Sequence, residues 1–285
     1  MNQKNVYLRV KDHSVSGEEF QLFLNEDYEM LETFPQPKEE KLSEYYKSED
    51  YISHTDSKRN LLEKVYHVVR NVSLKRKLKL INSFSTESKQ LLDIGCGTGD
   101  FLETASKANW KITGVEPNTN ARDIANRKTN NSVFEIEYLA QLNPNSFDVI
   151  TLWHVLEHLP KLETHIKLLK YLLKPNGTLV VAVPNFKSYD AQYYKSFWAA
   201  YDVPRHLWHF SKASIKQIFK KEGLKLETTL PMLFDAYYVS LLSEKYKSGW
   251  MNPVKAFWIG MLSNLKAKQT KEYSSHIYIL KHKNN

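Results

Sequence analysis

The segment Leu91-Leu92-Asp93-Ile94-Gly95-Cys96-Gly97-Thr98-Gly99-Asp100-Phe101-Leu102 constrains this chain more than any other. Its apolar run Leu91, Leu92 and Ile94 suits a strand covered on both faces. The alternate glycines Gly95, Gly97 and Gly99 let the backbone turn tightly and approach a ligand with no Cβ in the way. Phe101, Leu102 and Ala105 then open a helix, whose free amide groups favour a negative group.

The alternation continues downstream. Strands are expected at 90–94, 111–116, 133–136 (weak), 147–152, 178–183, 224–230 and 275–280. Helices are expected at 100–108, 119–128, 163–173 and 212–221. Strands separated by helices imply a mainly parallel α/β sheet with helices on both faces.

Upstream, Val6, Leu8 and Val10 alternate, the stretch 12–17 turns, and Phe20, Leu22 and Leu24 alternate, which predicts a β-hairpin. Pro35 and Pro37 mark an extended linker, and a helical piece starts at Leu42 and ends near 51–54. A long helix is expected over 57–81, with Leu61, Leu62, Val65, Val68, Val69 and Val72 at helical spacing. The organisation is thus a hairpin and helical cap over 1–56 and a larger domain over 57–285. The core of that domain is 88–230, its insert about 235–270 and its last strand 275–280. Within the insert, Val254, Phe257, Trp258, Met261, Leu262 and Leu265 form an amphipathic helix. Two readings of that stripe stand: packing against the domain, or a lid or lipid-facing helix aided by Lys255, Lys266 and Lys268.

Composition matters for what it excludes. No run approaches the roughly 18 apolar residues of a membrane helix. The start Met1-Asn2-Gln3-Lys4-Asn5 lacks the apolar core of a signal peptide, and the single cysteine, Cys96, has no disulfide partner within the chain. These features point to the cytoplasm, with peripheral membrane contact left open. A net charge of +8 would suit an anionic partner. Yet the lysines are scattered over helical surfaces such as 74–80, and no nucleic-acid recognition motif accompanies them.

Glu116 closes the second strand, 21 residues after Gly95. A carboxylate there can accept from both hydroxyls of a ribose. Dinucleotide enzymes use G-x-G-x-x-G. The pattern here, Asp93 followed by Gly95-x-Gly97-x-Gly99, instead resembles the first motif of class I S-adenosylmethionine (SAM) dependent methyltransferases. The segment 153–158, Trp-His-Val-Leu-Glu-His, is similar to the Leu-Glu-His region of ubiquinone-biosynthesis methyltransferases. The segment 204–211 carries a Pro-x-His-Leu-x-x-Phe-Ser pattern seen in the same branch.

The resemblance implies a Rossmann-like sheet of seven mainly parallel strands whose last strand is antiparallel. It implies SAM as cofactor, with S-adenosylhomocysteine as product. The cofactor-binding set it implies is Asp93, Gly95, Cys96, Gly97, Gly99, Glu116, Pro117, Leu139, Trp153 and His154, with 137–140 framing adenine. It makes His206, His154 and His158 the catalytic candidates, beside His209 as an alternative base and Arg205 as an anion holder. Each histidine has a competing role in ordering the fold. Tyr193, Tyr194, Phe197 and Trp198 supply an aromatic wall. The segments 11–20 and 45–54 resemble a zinc-ribbon piece that precedes some bacterial class I methyltransferases. No cysteine precedes Cys96, however, so this would be a metal-free cap. His154 and His158 stand four apart without a His-Glu-x-x-His arrangement, and no metal is expected.

The reading is therefore a methyltransferase acting at O, N or C of a small molecule or a lipid- or sugar-linked metabolite. A nucleic-acid methyltransferase, a SAM-binding scaffold without turnover and a dinucleotide oxidoreductase are the alternatives. Oligomeric state is not legible.

Overall fold

The computed structural model describes residues 6–46 and 61–283. The expected helix end near 51–54 and the expected helix start at 57 lie outside the described residues. Three antiparallel strands come first: β1 (Val6–Lys11), β2 (Glu19–Asn25) and β3 (Met30–Phe34). After helix α1 (Leu61–Asn82) come β4 (Gln90–Ile94), α2 (Asp100–Ser106), β5 (Lys111–Val115), α3 (Thr119–Thr129) and the two-residue β6 (Val133–Phe134). Next are β7 (Phe147–Trp153), α4 (Leu162–Leu172), β8 (Leu173–Pro184), α5 (Tyr189–Tyr194) and β9 (Trp208–His209). The chain ends with α6 (Lys212–Lys221), β10 (Leu224–Pro231), α7 (Asp235–Ser248), α8 (Pro253–Thr270) and β11 (Ser275–His282).

The large sheet has the order β10-β11-β8-β7-β4-β5-β6, and β11 runs antiparallel to both neighbours. Side chains alternate across it. Leu91, Val149, Val180 and Ile279 pack on one face with Phe101, Leu102 and Ala105 of α2 and Ile81 of α1. Leu92, Ile150, Leu179 and Leu280 pack on the other with Ile166 and Leu169 of α4 and Ile215 and Phe219 of α6. Burial on both faces is why Val149, Ile150 and Leu152 of β7 are apolar on both sides of the sheet rather than on one alone. The chain leaves β4 toward β5 on one side and later returns to β7 on the other. That reversal opens a crevice at the carboxyl ends of β4, β5 and β7.

The expected hairpin is present and larger than its sequence pattern. It extends through β3 to β9, giving a second sheet of order β1-β2-β3-β9. Trp208 pairs with Glu32 and His209 with Leu31, so residues far downstream complete the N-terminal sheet. The sequence hides this strand because Pro35 and Pro37 suggest a linker and β9 has only two residues. The inner face of this sheet, Val10, Phe20, Leu22 and Leu31, shares a core with Tyr194, Trp198, Tyr201, Val239 and Ile259. The sheet and the helices α7 and α8 therefore pack as one layer.

The stripe on α8 does not pack inward. Ala256, Ile259, Gly260, Ser263 and Ala267 form the buried face. A Cβ on Gly260 would lie 2.8 Å from Tyr237 of α7, so glycine sets the helix–helix approach. Ser263 donates to Asp190 at 2.6 Å. With the small face locked inward, Val254, Phe257, Trp258, Leu262 and Leu265 point to solvent. The packing alternative for that stripe is thus corrected: small residues, not large ones, allow the close helix contact.

Candidate active site

The glycine loop is shaped by its own backbone. Gly95, Gly97 and Gly99 all have positive φ, at 68°, 55° and 79°. The Gly95 and Cys96 amides donate to the Val115 carbonyl, at 2.7 and 3.2 Å. An added Cβ at Gly95 would meet Val155 at 2.4 Å, and one at Gly99 would meet Ala125 at 2.8 Å. A Cβ at Gly97 would meet nothing within 4 Å, so that turn borders open space. The Cys96 side chain is half-buried and burial pushes its thiol pKa up, so it is a packing group and no nucleophile.

Glu116 is buried at the end of β5 and ties the loop to the next helix. One oxygen accepts from the Gly97 amide and the other from the Asn118 amide, both at 2.9 Å. A carboxylate has about four acceptor sites, so roughly two remain. Burial pushes its pKa up, against these two amide bonds. Pro117 is exposed beside it, and its carbonyl accepts from Arg122 at 3.2 Å. Asp93, at the end of β4, accepts from Thr151 at 2.6 Å. Burial lifts its pKa to about 7, although Thr151 and Lys77 act the other way. Leu139 is a core residue in the turn Ile136–Gln141, while its neighbour Tyr138 stacks on Phe134 with ring centroids 4.0 Å apart.

Trp153 ends β7 with its ring edge-on to Phe101. Its Nε1 is buried without a hydrogen-bond partner. Lys77 of α1 lies over the same ring at 4.3 Å, and burial lowers its pKa to about 8. Lys77 is not legible in the sequence, because nothing in α1 marks which lysine turns inward.

The three catalytic candidates separate in chemistry. His154 holds φ of 58°, and its ring lies between Asp235 (Nε2–Oδ2 3.0 Å) and Glu157 (Nδ1–Oε1 3.5 Å). Burial opposes its charge, but the Asp235 and Glu157 carboxylates outweigh that and raise its pKa to about 10. It is a cation at neutral pH and cannot then accept a proton. His158 contacts the Arg205 carbonyl through Nδ1 at 3.1 Å, which requires a proton on that nitrogen. Tyr46 of the N-terminal region also reaches this nitrogen, at 2.9 Å. Burial, followed by the adjacent His206, lowers the His158 pKa to about 4.

His206 is buried, with Nδ1 donating to the Ala200 carbonyl at 2.8 Å. Its Nε2 then points toward Glu157 at 4.0 Å and Asp202 at 3.9 Å. Glu157 is fully buried, and neither of its oxygens has a hydrogen-bond partner. Burial alone would raise its pKa; His154, His206 and His158 around it lower it instead. Glu157, His158 and His206 each place one donor atom within 4.8 Å of the others, a set able to hold a cation. Helical spacing in the sequence joins only His154 and His158, whereas this set draws on two segments that are 47 residues apart at His158 and Arg205 and meet only in the fold.

Two other expectations are corrected. Arg205 is 4% exposed and fully engaged: it donates to Asp202, to Asp12 at 2.9 Å, to the Tyr45 carbonyl at 2.9 Å and to Ser14. It pins the N-terminal sheet to the 201–211 loop and has no free face for a substrate anion. His209 shares a hydrogen bond with Thr33, whose hydroxyl donates to the His206 carbonyl, so His209 must donate. Burial holds its pKa well below the usual value. It is a part of the small sheet and no base.

The cleft fits an adenosyl ligand on two counts: open space at Gly97 and spare acceptor sites on Glu116. The profile of the methyltransferase domain family matches residues 67–229, more than half of the chain. Among curated proteins, the chain is 28% identical over 188 residues to the ubiquinone biosynthesis O-methyltransferase of Actinobacillus pleuropneumoniae serotype 7 (strain AP76). That match covers 61% of this chain and 79% of the relative. It is 31% identical over 134 residues to the protein of that name from Coxiella burnetii (strain Dugway 5J108-111), covering 44% of this chain and 56% of the relative. Its fold is similar to magnesium protoporphyrin IX methyltransferase from Synechocystis PCC 6803 solved with bound SAH. The TM-score is 0.52 at 16% identity, covering 85% of this chain and 92% of that one. A SAM-dependent methyltransferase from Thermotoga maritima matches with a TM-score of 0.51 at 18% identity, covering 78% and 95%. The glycine loop, the acid at the next strand end and the family match agree: this chain belongs to the methyltransferase domain family and is a SAM-dependent methyltransferase.

Proposed function

We propose that the acceptor is a small molecule or a lipid- or sugar-linked metabolite, methylated at a hydroxyl. The observation that carries this reading is the Glu157–His206 pair. An oxygen acceptor must lose a proton, and His206 Nε2 faces two carboxylates that would stabilise the proton once it arrives. Glu157 and Asp202 act on the imidazolium, while the Ala200 carbonyl fixes the tautomer. The bound cofactor supplies a methyl group that is already electrophilic on its sulfonium and needs no covalent help from the protein.

The other residues hold and orient. Glu116 would take the ribose hydroxyls, with the loop backbone at Gly95, Cys96, Gly97 and Gly99 and the nearby Asp93 around the methionine part. Pro117 and Leu139 would stand on the adenosine side. His154 contributes positive charge rather than base catalysis. The curated relatives named as O-methyltransferases support an oxygen acceptor. The single cysteine suits a reducing compartment, and we place the reaction in the cytoplasm.

The test is an acceptor screen with methyl-labelled SAM over phenols, alcohols and amines, followed by pH profiles of wild type and Glu157→Gln. Label in a phenol or alcohol, with the acidic limb of kcat displaced in Glu157→Gln, supports the reading. Label only in tertiary amines, which have no proton to lose, contradicts it. Loss of turnover on chelation would hand the Glu157, His158 and His206 set to a cation instead.

A further inference from the structure

We propose that α8 and the turn before it form an interfacial docking face for an anionic lipid bilayer. The face is large and apolar where a free protein surface is ordinarily polar. Trp250, Val254, Phe257 and Trp258 are 58%, 67%, 55% and 54% exposed, and Met251, Leu262 and Leu265 extend the same surface. Contiguous exposed apolar residues of this kind mark an interaction site.

The outward orientation is built in rather than incidental. Gly260 lets α8 sit tight against α7, and the Ser263–Asp190 hydrogen bond fixes its rotation. Asn252 caps its first turn and Pro253 occupies the first helical position. The helix cannot turn its aromatic side inward without breaking that small-residue contact.

Charge selects the occupant. From Lys245 to Lys271 the chain holds six lysines and no aspartate or glutamate. Glu244, just before, is buried and pairs with Lys255 at 3.1 Å. Lys247, Lys266, Lys268 and Lys271 are exposed. Tryptophan and lysine together are the anchors of helices that lie in a lipid headgroup region. A two-fold contact between copies of this chain would bring these lysines against themselves, and like charge opposes that. No helix among the described residues is long and apolar enough to cross a membrane, so the mode is docking and not spanning.

The face adjoins the candidate site. Asn264 of α8 donates to the Leu233 carbonyl at 2.9 Å, and two residues on, Asp235 holds His154. The docking itself does not depend on the acceptor chemistry, and its test needs no turnover.

The full chain is floated with vesicles of phosphatidylcholine alone or mixed with phosphatidylglycerol, at low and high salt. Wild type should float with the anionic vesicles, and more weakly at high salt. Phe257→Glu/Trp258→Glu should reduce binding about tenfold or more, while Tyr171→Glu, an exposed site on α4, should not. Quenching of tryptophan fluorescence by brominated lipid in the wild type gives a readout independent of any variant's folding. Absence of both flotation and quenching overturns the proposal. So does a wild-type dimer that the double variant splits to monomer without any vesicle binding, which would make the face a subunit contact.

Discussion

The two halves of the cleft are built by opposite means. On the cofactor side, backbone does the work: three glycines in left-handed conformations, amide bonds to Val115, and one carboxylate holding the loop at Gly97. All of it lies within 24 consecutive residues, 93–116. On the acceptor side, side chains do the work, and they come from far apart. Tyr46 meets His158 across 112 positions, and Asp12 meets Arg205 across 193. A contiguous turn can keep its shape from local conformational preference. A cluster gathered from four segments keeps its shape only through the buried ion pairs and hydrogen bonds that join them.

That contrast can be broken by mutation, and the largest effect should fall on the fold. Arg205→Ala leaves Asp12 and Asp202 without their guanidinium, and should cost about 3–5 kcal/mol of stability, the scale for removing one member of a buried ion pair. Chemical denaturation reads this. A loss near zero would mean that the N-terminal sheet is held to the loop by apolar packing alone. Next is His206→Ala, which should lower kcat by about 10²–10⁴ with unchanged SAM affinity. Single-turnover methyl transfer beside equilibrium binding separates these, and equal rates would reduce His206 to a loop residue. Glu116→Ala should weaken SAM binding by about 1.5–3 kcal/mol, the range for hydrogen bonds to a charged group. An unchanged dissociation constant would place the ribose elsewhere.

The smallest effect is a pH dependence at His154. Its folded pKa, about 10, lies above the ordinary value of 6.5. The pair with Asp235 therefore contributes fully below pH 6.5, and its contribution is lost as pH rises through 10. The side chain is 36% exposed, so solvent screens the pair and about 1 kcal/mol is expected. Thermal unfolding of wild type and Asp235→Asn from pH 6 to above 10 checks it. The wild-type advantage should shrink as pH rises, and a constant gap would contradict the charge assignment.

The same contrast explains what the sequence could tell. The sheet was legible because Leu91, Leu92 and Ile94 of β4, and Val149, Ile150 and Leu152 of β7, are buried on both faces and carry no competing pattern. The loop was legible because glycine spacing and Glu116 are local. The role of His154 was not, since Asp235 reaches it from α7. Arg205 suggested a substrate anchor because a sequence shows a cation without its partners. On α8 the apolar stripe was readable, but its direction was not. That direction depends on Gly260 and Ser263, whose small size matters only once α7 and Asp190 are in place.

The most direct measurement is calorimetric titration of SAM, S-adenosylhomocysteine and NAD into wild type, Gly97→Val and His206→Ala. The account predicts that wild type and His206→Ala bind both adenosyl ligands alike and not NAD. Gly97→Val, folded but with a branched side chain in the open turn, should bind neither. Loss of SAM binding in His206→Ala, or full affinity in Gly97→Val, would contradict a cofactor half that stands on its own backbone.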